Sequence, residues 1–371
     1  MTQMNVFRKS GYKPDYFLLA LIVILTLFGL AMLASASSEL GKAKFNDSYY
    51  YLKHQALFGL SLGIIGFLVT SFFRYQNLKK FALPLLVLNL IALVLVFTSA
   101  GLEVRGVNRW LKIGPLSFQP AESMKLVFVL YLAAWLSNTK IKRTTKFLEG
   151  FLPFVLISGL IAILLVLQPA TSTVAILLGS GLIVYVLDGA KIRYVLLIVL
   201  VGVLGVATLI QITPYRKDRI SSFFNKTEDI SGKNYQVTQA LIAIGSGGLA
   251  GKGYGESSAK VNFLPASIDD SIFAIISEEL GFIGASTVVM LFGMLSFRMF
   301  YLARRLRDRF GRLILIGFGS VIAFQSLIHM ASISGLLPLT GVPLPFISYG
   351  GTALAVFLTM GGIAVNISKY A

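Results

Sequence analysis

The residues able to do chemistry gather in two settings: a glycine-rich stretch that closes on paired carboxylates, and a few charges set inside apolar runs. Residues 243–255 read Ala-Ile-Gly-Ser-Gly-Gly-Leu-Ala-Gly-Lys-Gly-Tyr-Gly, with Gly247 and Gly248 at the centre of six glycines. Such density frees backbone N–H groups to converge on an anion. Lys252 and Lys260 favour a phosphate or diphosphate, although a hinge explains the glycines equally well. No strand and helix frame the stretch as in a dinucleotide fingerprint, and it lacks the Gly-Lys-Ser/Thr ending of a phosphate loop. Asp269-Asp270-Ser271 follows, directly before an apolar run. A short Asp or Ser there is first of all a helix cap. A carboxylate kept ionised by the positive end of a helix also suits a general base.

The embedded charges are costly at membrane depth and default to a functional hypothesis. Glu122 and Lys125 lie three apart, hence on one helix face, with Pro120 at a first-turn position. Two readings stand: a capped helix with an internal salt bridge, or a Lys125 that faces a cavity and meets an anionic substrate. Glu278 and Glu279 have no adjacent cation in sequence, so at least one must face protein or water. Gln168-Pro169 breaks the chain as a tight hairpin would. Gln325 and His329, four apart, share a face and read as a buried hydrogen-bonded contact. With no cysteine and two distant histidines, His54 and His329, neither a disulfide framework nor a metal centre is expected.

The elements that must position these groups are membrane helices. Of 371 residues, 56% are hydrophobic and 13% charged, about half the charge a soluble domain carries. A soluble enzyme is excluded. Ten segments suit a hydrocarbon core of about 30 Å: Tyr16–Ser35, Gln55–Phe73, Phe81–Ser99, Ala121–Leu136, Phe151–Leu167, Thr171–Leu187, Tyr194–Thr213, Ile272–Phe297, Leu313–Ala331 and Gly351–Ile367. The expectation is an all-α membrane protein, a single polytopic domain of ten transmembrane helices. Placing both termini in the cytoplasm puts 19 of the 33 Lys and Arg there with only four acids, as the positive-inside rule requires. The net charge of +17 then reflects orientation and attraction to anionic membrane lipid, not nucleic-acid binding. The long polar stretch Pro214–Ser271, between the seventh and eighth helices, falls outside, with smaller outer loops at Ala100–Pro120 and Gly335–Gly350.

Several stretches together resemble one family. They are Gly106-Val-Asn-Arg109-Trp110-Leu, Phe118-Gln-Pro120-Ala-Glu122-Ser-Met-Lys125, Tyr235-Gln-Val-Thr-Gln239, Ala243-Ile-Gly-Ser-Gly-Gly-Leu, Ile276-Ser-Glu278-Glu279-Leu-Gly281, and the run from Leu337 to Ser348-Tyr349-Gly350-Gly351. In that order they resemble the SEDS proteins (shape, elongation, division and sporulation), the polytopic peptidoglycan glycosyltransferases typified by FtsW and RodA. The resemblance implies polymerisation of lipid II into β-1,4-linked glycan strands at the outer face of the bacterial cytoplasmic membrane. An α-linked donor and a β product mean a single inverting displacement, with one carboxylate as base. The family's essential loop Asp falls on Asp270. The implied substrate-facing set is Arg109, Glu122, Lys125, Lys252, Lys260, Gly247, Gly248 and Ser348, with Arg109 and Lys125 against the sugar-diphosphate. The diphosphate leaving group calls for positive charge or a divalent cation, Mg or Mn, rather than a proton.

This chain departs from the family where Ala266, Ile268, Asp269 and Ser271 replace its Glu, His, Thr and Phe, and where Ala170 replaces an Asp. The run Gly253-Tyr-Gly-Glu-Ser257 to Lys260 and Leu264-Pro265 resembles the division-type, FtsW-like pattern more than the elongation type. Members work with a class B penicillin-binding protein, a transpeptidase, within the division or elongation machinery, on lipid II and a lipid-linked nascent strand. Two rival readings remain: a lipid flippase or transporter, which needs polar residues along a path through the membrane, and a non-catalytic scaffold, which needs no base.

Overall fold

A computed structural model of the chain describes residues 13–104, 107–114, 116–137, 143–213, 217, 223, 235–260, 264 and 268–371. Among them, eight helices are long and apolar enough to cross a membrane. These are α1 (Tyr16–Phe45), α2 (Tyr50–Phe72), α3 (Tyr75–Leu95), α5 (Phe147–Leu167), α7 (Ile192–Ile212), α9 (Ile272–Arg305), α10 (Arg309–Ile333) and α11 (Gly351–Ser368). The expected segments Ala121–Leu136 and Thr171–Leu187 are also helical, as α4 (Pro120–Ser137) and α6 (Thr171–Leu187). α4 carries Glu122 and Lys125 in its first two turns, and α6 has 17 residues, so neither meets the same measure of length and apolarity.

The helices start and stop where side chains satisfy their ends. The Asp15 carboxylate accepts from the Leu18 N–H at 2.7 Å to cap α1, and Asp308 accepts from the Gly311 N–H at 2.9 Å to cap α10. Both caps also join helices: Asp15 pairs with Arg298 at 2.5 Å, and the Tyr75 hydroxyl donates to Asp308 at 3.0 Å. Arg309, at the start of α10, pairs with Asp188 after α6 at 2.6 Å. α10 and α11 form the centre, with most of their residues buried. α7 lies on the rim and buries only Tyr194.

Two features lie outside the ten expected spans, and the first differs from the all-helical expectation. The segment 101–118 is a three-stranded antiparallel sheet, β1 (Gly101–Val104), β2 (Val107–Ile113) and β3 (Leu116–Phe118), paired in the order β1-β2-β3. Val104, Val107, Trp110, Ile113 and Phe118 are types that favour extended backbone, and Gly114 turns the second hairpin at φ +60°. The long outer stretch contains a helix, α8 (Tyr235–Ser246). Gly106 and Ala266, and much of 214–234, lie outside the described residues.

The eighth expected span is not one helix. Gly281 sits at φ 65°, ψ −164°, and breaks α9 after two turns. A break exposes carbonyls on one side and N–H groups on the other, which inside a bilayer must find partners. The glycine-rich stretch supplies them. The N–H groups of Lys252 and Gly253 donate to Glu278 O and Glu279 O, both at 3.0 Å, and those of Phe282 and Ile283 donate to Gly248 O and Leu249 O at 2.8 and 3.2 Å. The backbones approach so closely that a Cβ on Gly281 would collide with Gly251 and Leu249 main chain. Gly281→Ala combines that clash with a left-handed φ and is expected to cost about 1–3 kcal/mol or more. Gly293→Ala, later in the same helix with open space around it, should be neutral or slightly stabilising. Thermal unfolding of the two variants in detergent checks the contrast.

Candidate active site

The centre of the site is a chain of polar contacts that begins inside the helix bundle and ends at the Asp269–Asp270 carboxylates. Lys125 has no exposed surface; its ammonium donates to Glu122 Oε1 at 2.6 Å and to Gln325 Oε1 at 2.7 Å. It also lies 5.6 Å from the centroid of the Phe357 ring, a cation–π contact. The pair is thus the internal salt bridge of the first reading, joined to α10 by Gln325. Glu122 keeps one oxygen, Oε2, buried without a hydrogen bond.

From Gln325 the network passes into the loop 335–350. The Gln325 amide donates to Pro343 O at 2.7 Å, and His329 Nδ1 lies 2.6 Å from Val342 O. The Ser172 hydroxyl, from α6, donates to Thr340 O at 3.0 Å. The loop in turn clasps the carboxylate turn. The Ser348 hydroxyl donates to Asp269 O at 2.6 Å while accepting from the Leu344 N–H at 2.8 Å. The Tyr349 N–H donates to Ile268 O at 2.9 Å. Gly341, at φ 62°, lies against the Asp270 carboxylate: a Cβ there would stand 3.5 Å from Oδ2. From α8, the Gln236 amide donates to the Ser271 hydroxyl at 2.9 Å. Asp269 accepts the Asp270 N–H at 3.0 Å, and both acids are half-buried. Ser348 therefore acts on the turn that presents Asp270, from a fully enclosed position.

Tyr349 anchors the other side of the loop. Its hydroxyl lies 2.9 Å from His54 Nδ1, and burial, with Tyr51, Tyr50 and Asp269 nearby, pushes the phenol up to about 12. It stays protonated at neutral pH and shares a hydrogen bond with His54 Nδ1.

Lys252 and Lys260 are brought to the paired glutamates, not to each other. Lys252 Nζ lies 2.6 Å from Glu278 Oε1 and Lys260 Nζ 3.4 Å from Glu279 Oε1. Glu278 also accepts from the hydroxyls of Ser257 at 2.5 Å and Ser258 at 2.8 Å, and from the Ala259 N–H at 3.2 Å. Glu279 accepts from the Ser35 hydroxyl at 2.6 Å, tying α1 to the break. Gly247 packs its Cα on the Ser277–Glu278 backbone, and Gly248 provides the carbonyl to Phe282. Here the glycine-rich loop and its lysines complete a broken helix and neutralise its two acids.

Arg109, on β2, donates through Nε to Gln168 O at 2.9 Å and through a terminal nitrogen to Pro169 O at 2.8 Å. It covers the carbonyl end of α5 at the Gln168-Pro169 turn, a favourable place for a cation. The Gln168 amide donates to Leu93 O at 2.9 Å. The sheet is fixed to α11 through Thr352, whose hydroxyl donates to Ser117 O at 3.1 Å. Ser35 gives no sequence signal, and Gln236 and Ser257 stand in stretches shared with the family without any sign of their contacts, because their partners lie 244, 35 and 21 positions away.

The fold and these loops define a multi-pass membrane protein with a carboxylate site at one end of its helix bundle. The family model of the FtsW, RodA and SpoVE cell cycle proteins matches residues 16–371, and the chain belongs to that family. It is 36% identical to the stage V sporulation protein E of Bacillus subtilis over 96% of this chain and 98% of that protein. It is also 36% identical to a probable peptidoglycan glycosyltransferase FtsW of Trichlorobacter lovleyi, over 98% of this chain and 94% of the relative. Among solved structures it is similar to a chain of a peptidoglycan synthase complex that coordinates polymerization and crosslinking, with TM-score 0.78 and 28% identity over 96% of this chain and 98% of that one. Rod shape determining protein RodA of Thermus thermophilus matches with TM-score 0.69 and 27% identity over 96% of both chains.

Breaking a buried pair costs more than replacing it, because the remaining charge has no partner. Lys125→Met alone is expected to destabilise by about 3–5 kcal/mol. The double variant Glu122→Met/Lys125→Met should recover a large part of that loss. A double-mutant cycle on thermal unfolding checks this, and simple additivity of the two single variants would refute the pairing.

Proposed function

We propose that this protein is a peptidoglycan glycosyltransferase that polymerises lipid II into β-1,4-linked glycan strands at the outer face of the cytoplasmic membrane. The single observation carrying this reading is the Asp269–Asp270 turn: two half-buried acids held by Ser348, Tyr349 and Gln236 beneath an outer loop. The orientation follows from the distribution of Lys and Arg, with ten spans and both termini in the cytoplasm. The relatives named as glycosyltransferases support the activity.

In the reaction the Asp270 carboxylate removes the proton from the 4-hydroxyl of an acceptor N-acetylglucosamine. That oxygen attacks the anomeric carbon of the donor from the face opposite its diphosphate. The new C1–O4 bond forms as the C1–O bond to the diphosphate breaks; the electron pair leaves on the diphosphate and the proton remains on Asp270. Arg109 faces the sugar-diphosphate from the sheet. Glu122 and Lys125, through Gln325, position the third outer loop. Gly247, Gly248, Lys252 and Lys260, through Glu278 and Glu279, position the second. Among the described residues no group of three or more His, Asp or Glu could hold an ion. The half-buried Asp269 carboxylate would be the group to hold a divalent cation, leaving Asp270 free to take the proton. Such an ion would supply positive charge to the leaving group.

The division-type pattern from Gly253 to Pro265 favours a septal role, with an elongation role as the alternative. The partner is a class B penicillin-binding protein; a structural neighbour comes from a complex that couples polymerization to crosslinking. A flippase fits less well, since the mid-membrane groups Glu122, Lys125, Gln325 and His329 are buried against one another and their loop. Strand synthesis from lipid II by the purified protein tests the proposal. Asp270→Asn is expected to lower the rate by about 10²–10⁴-fold, the usual contribution of a general base, and Asp269→Asn far less. If wild type stays inactive with its transpeptidase present, lipid translocation takes the lead. If Asp270→Asn polymerises normally, the base lies elsewhere.

A further inference from the structure

At the opposite end of the bundle from the carboxylate turn, α3 and α4 line an open groove of about 510 Å³. Its walls are divided by polarity. One end carries Gln76, Lys79 and Lys80, in the first turns of α3; the other carries Leu83, Tyr131 and Trp135. The described lining holds two lysines and no acid, and the first turn of α3 itself has no acidic residue. The positive end of the helix therefore adds to the field of the lysines. Lys80 is exposed and Lys79 half-buried, its ammonium 6.0 Å from the centroid of the Phe310 ring. Tyr131 and Trp135, four apart on α4, are aromatic types that settle at headgroup depth. Leu83 is 58% exposed and continues the groove onto the apolar flank of α3.

We propose that this groove is a binding site for an anionic glycerophospholipid of the cytoplasmic leaflet. The phosphate lies on Lys79 and Lys80, and the first acyl segment runs past Trp135 and Leu83. A basic pocket between transmembrane helices on the cytoplasmic side is the kind of site that takes such headgroups. The leaflet assignment rests on the orientation given under Proposed function; the binding chemistry does not depend on the polymerase reading. Since α4 also carries Glu122 and Lys125, the lipid occupies the far end of the helix that holds the central ion pair.

The chain has two tryptophans, Trp110 and Trp135, so Trp110→Phe leaves Trp135 as the sole fluorophore. Reconstituted into phosphatidylethanolamine vesicles, this variant is titrated with phosphatidylglycerol brominated on its acyl chain. Quenching of Trp135 should saturate at low mole fraction of phosphatidylglycerol, whereas brominated phosphatidylethanolamine should quench only in proportion to its abundance. Adding Lys79→Gln and Lys80→Gln should weaken the preference about thirtyfold, the equivalent of about 1 kcal/mol per juxtamembrane lysine. Leu83→Trp cannot be read by this fluorescence, so Leu83→Phe is used to narrow the groove with its charge intact, and it should also weaken binding. Arg304→Gln/Arg307→Gln, which removes two exposed charges from the same face, should leave it unchanged. Equal loss in the arginine variant would mean diffuse surface attraction and would overturn the site, as would full binding in the lysine variant or in Leu83→Phe. Displacement by undecaprenyl phosphate at a far lower mole fraction would overturn the glycerophospholipid assignment. Because the chain has no cysteine, labelling of Lys80→Cys from one side of sealed vesicles separately tests the leaflet, and access from the outside would overturn it.

Discussion

The ammonium of Lys125 is the constraint from which the carboxylate site follows. No water is available at that depth to solvate a charge, so every favourable position for Nζ must be created by protein. Glu122 Oε1, Gln325 Oε1 and the Phe357 ring create it from three helices, α4, α10 and α11. The interaction is oriented as well as attractive. With its oxygen committed to Lys125, the Gln325 side chain presents its amide nitrogen to Pro343 O, and the loop that follows reaches Asp269 through Ser348. A buried charge inside the bundle thereby fixes the backbone of a loop on its surface. The net stability of such a pair against an apolar replacement is small or negative; what it confers here is register between three helices and one loop.

A second arrangement works by the same physics on the neighbouring loop. Breaking α9 at Gly281 would leave backbone groups and two carboxylates exposed to hydrocarbon. The glycine-rich segment answers both needs together, with main-chain bonds across the break and with Lys252 and Lys260 on Glu278 and Glu279. Gly247 and Gly251 are needed because two backbones meet there without room for side chains, which is a different use from cradling an anion. The loop is consequently tied down on both sides of the break, and the Asp269–Asp270 turn leads directly into that helix.

How much of this was legible in the sequence depended on range. The apolar segments announced themselves by length, and the Glu122–Lys125 bridge by a spacing of three on one face. Gln325 and His329 were visible as a shared buried face, but not their partners Pro343 and Val342, which depend on how a loop folds back. The lysines of the glycine-rich stretch read as anion ligands because their glutamates stand 26 and 19 positions away, across a turn no local pattern records. The break at Gly281 was hidden for a related reason: the residues around it remain apolar, so hydropathy continues through it. The sheet at 101–118 went unseen because its strands are short and carry charges at Glu103, Arg109 and Lys112. Arg109 was singled out as a cation near the substrate, and its contacts with Gln168 O and Pro169 O add a structural duty that spacing alone does not reveal.

The central claim is that a charge buried in the helix bundle holds the Asp269–Asp270 turn in place, and hydrogen exchange tests it most directly. Comparing wild type with Gln325→Leu, which leaves the Glu122–Lys125 pair but cuts its link to Pro343, the account predicts faster amide exchange at 342–349 and at 268–271. Exchange in the Lys252 to Lys260 segment, anchored independently by Glu278, should be unchanged. Faster exchange confined to α10 around position 325, with both outer segments still protected, would contradict it.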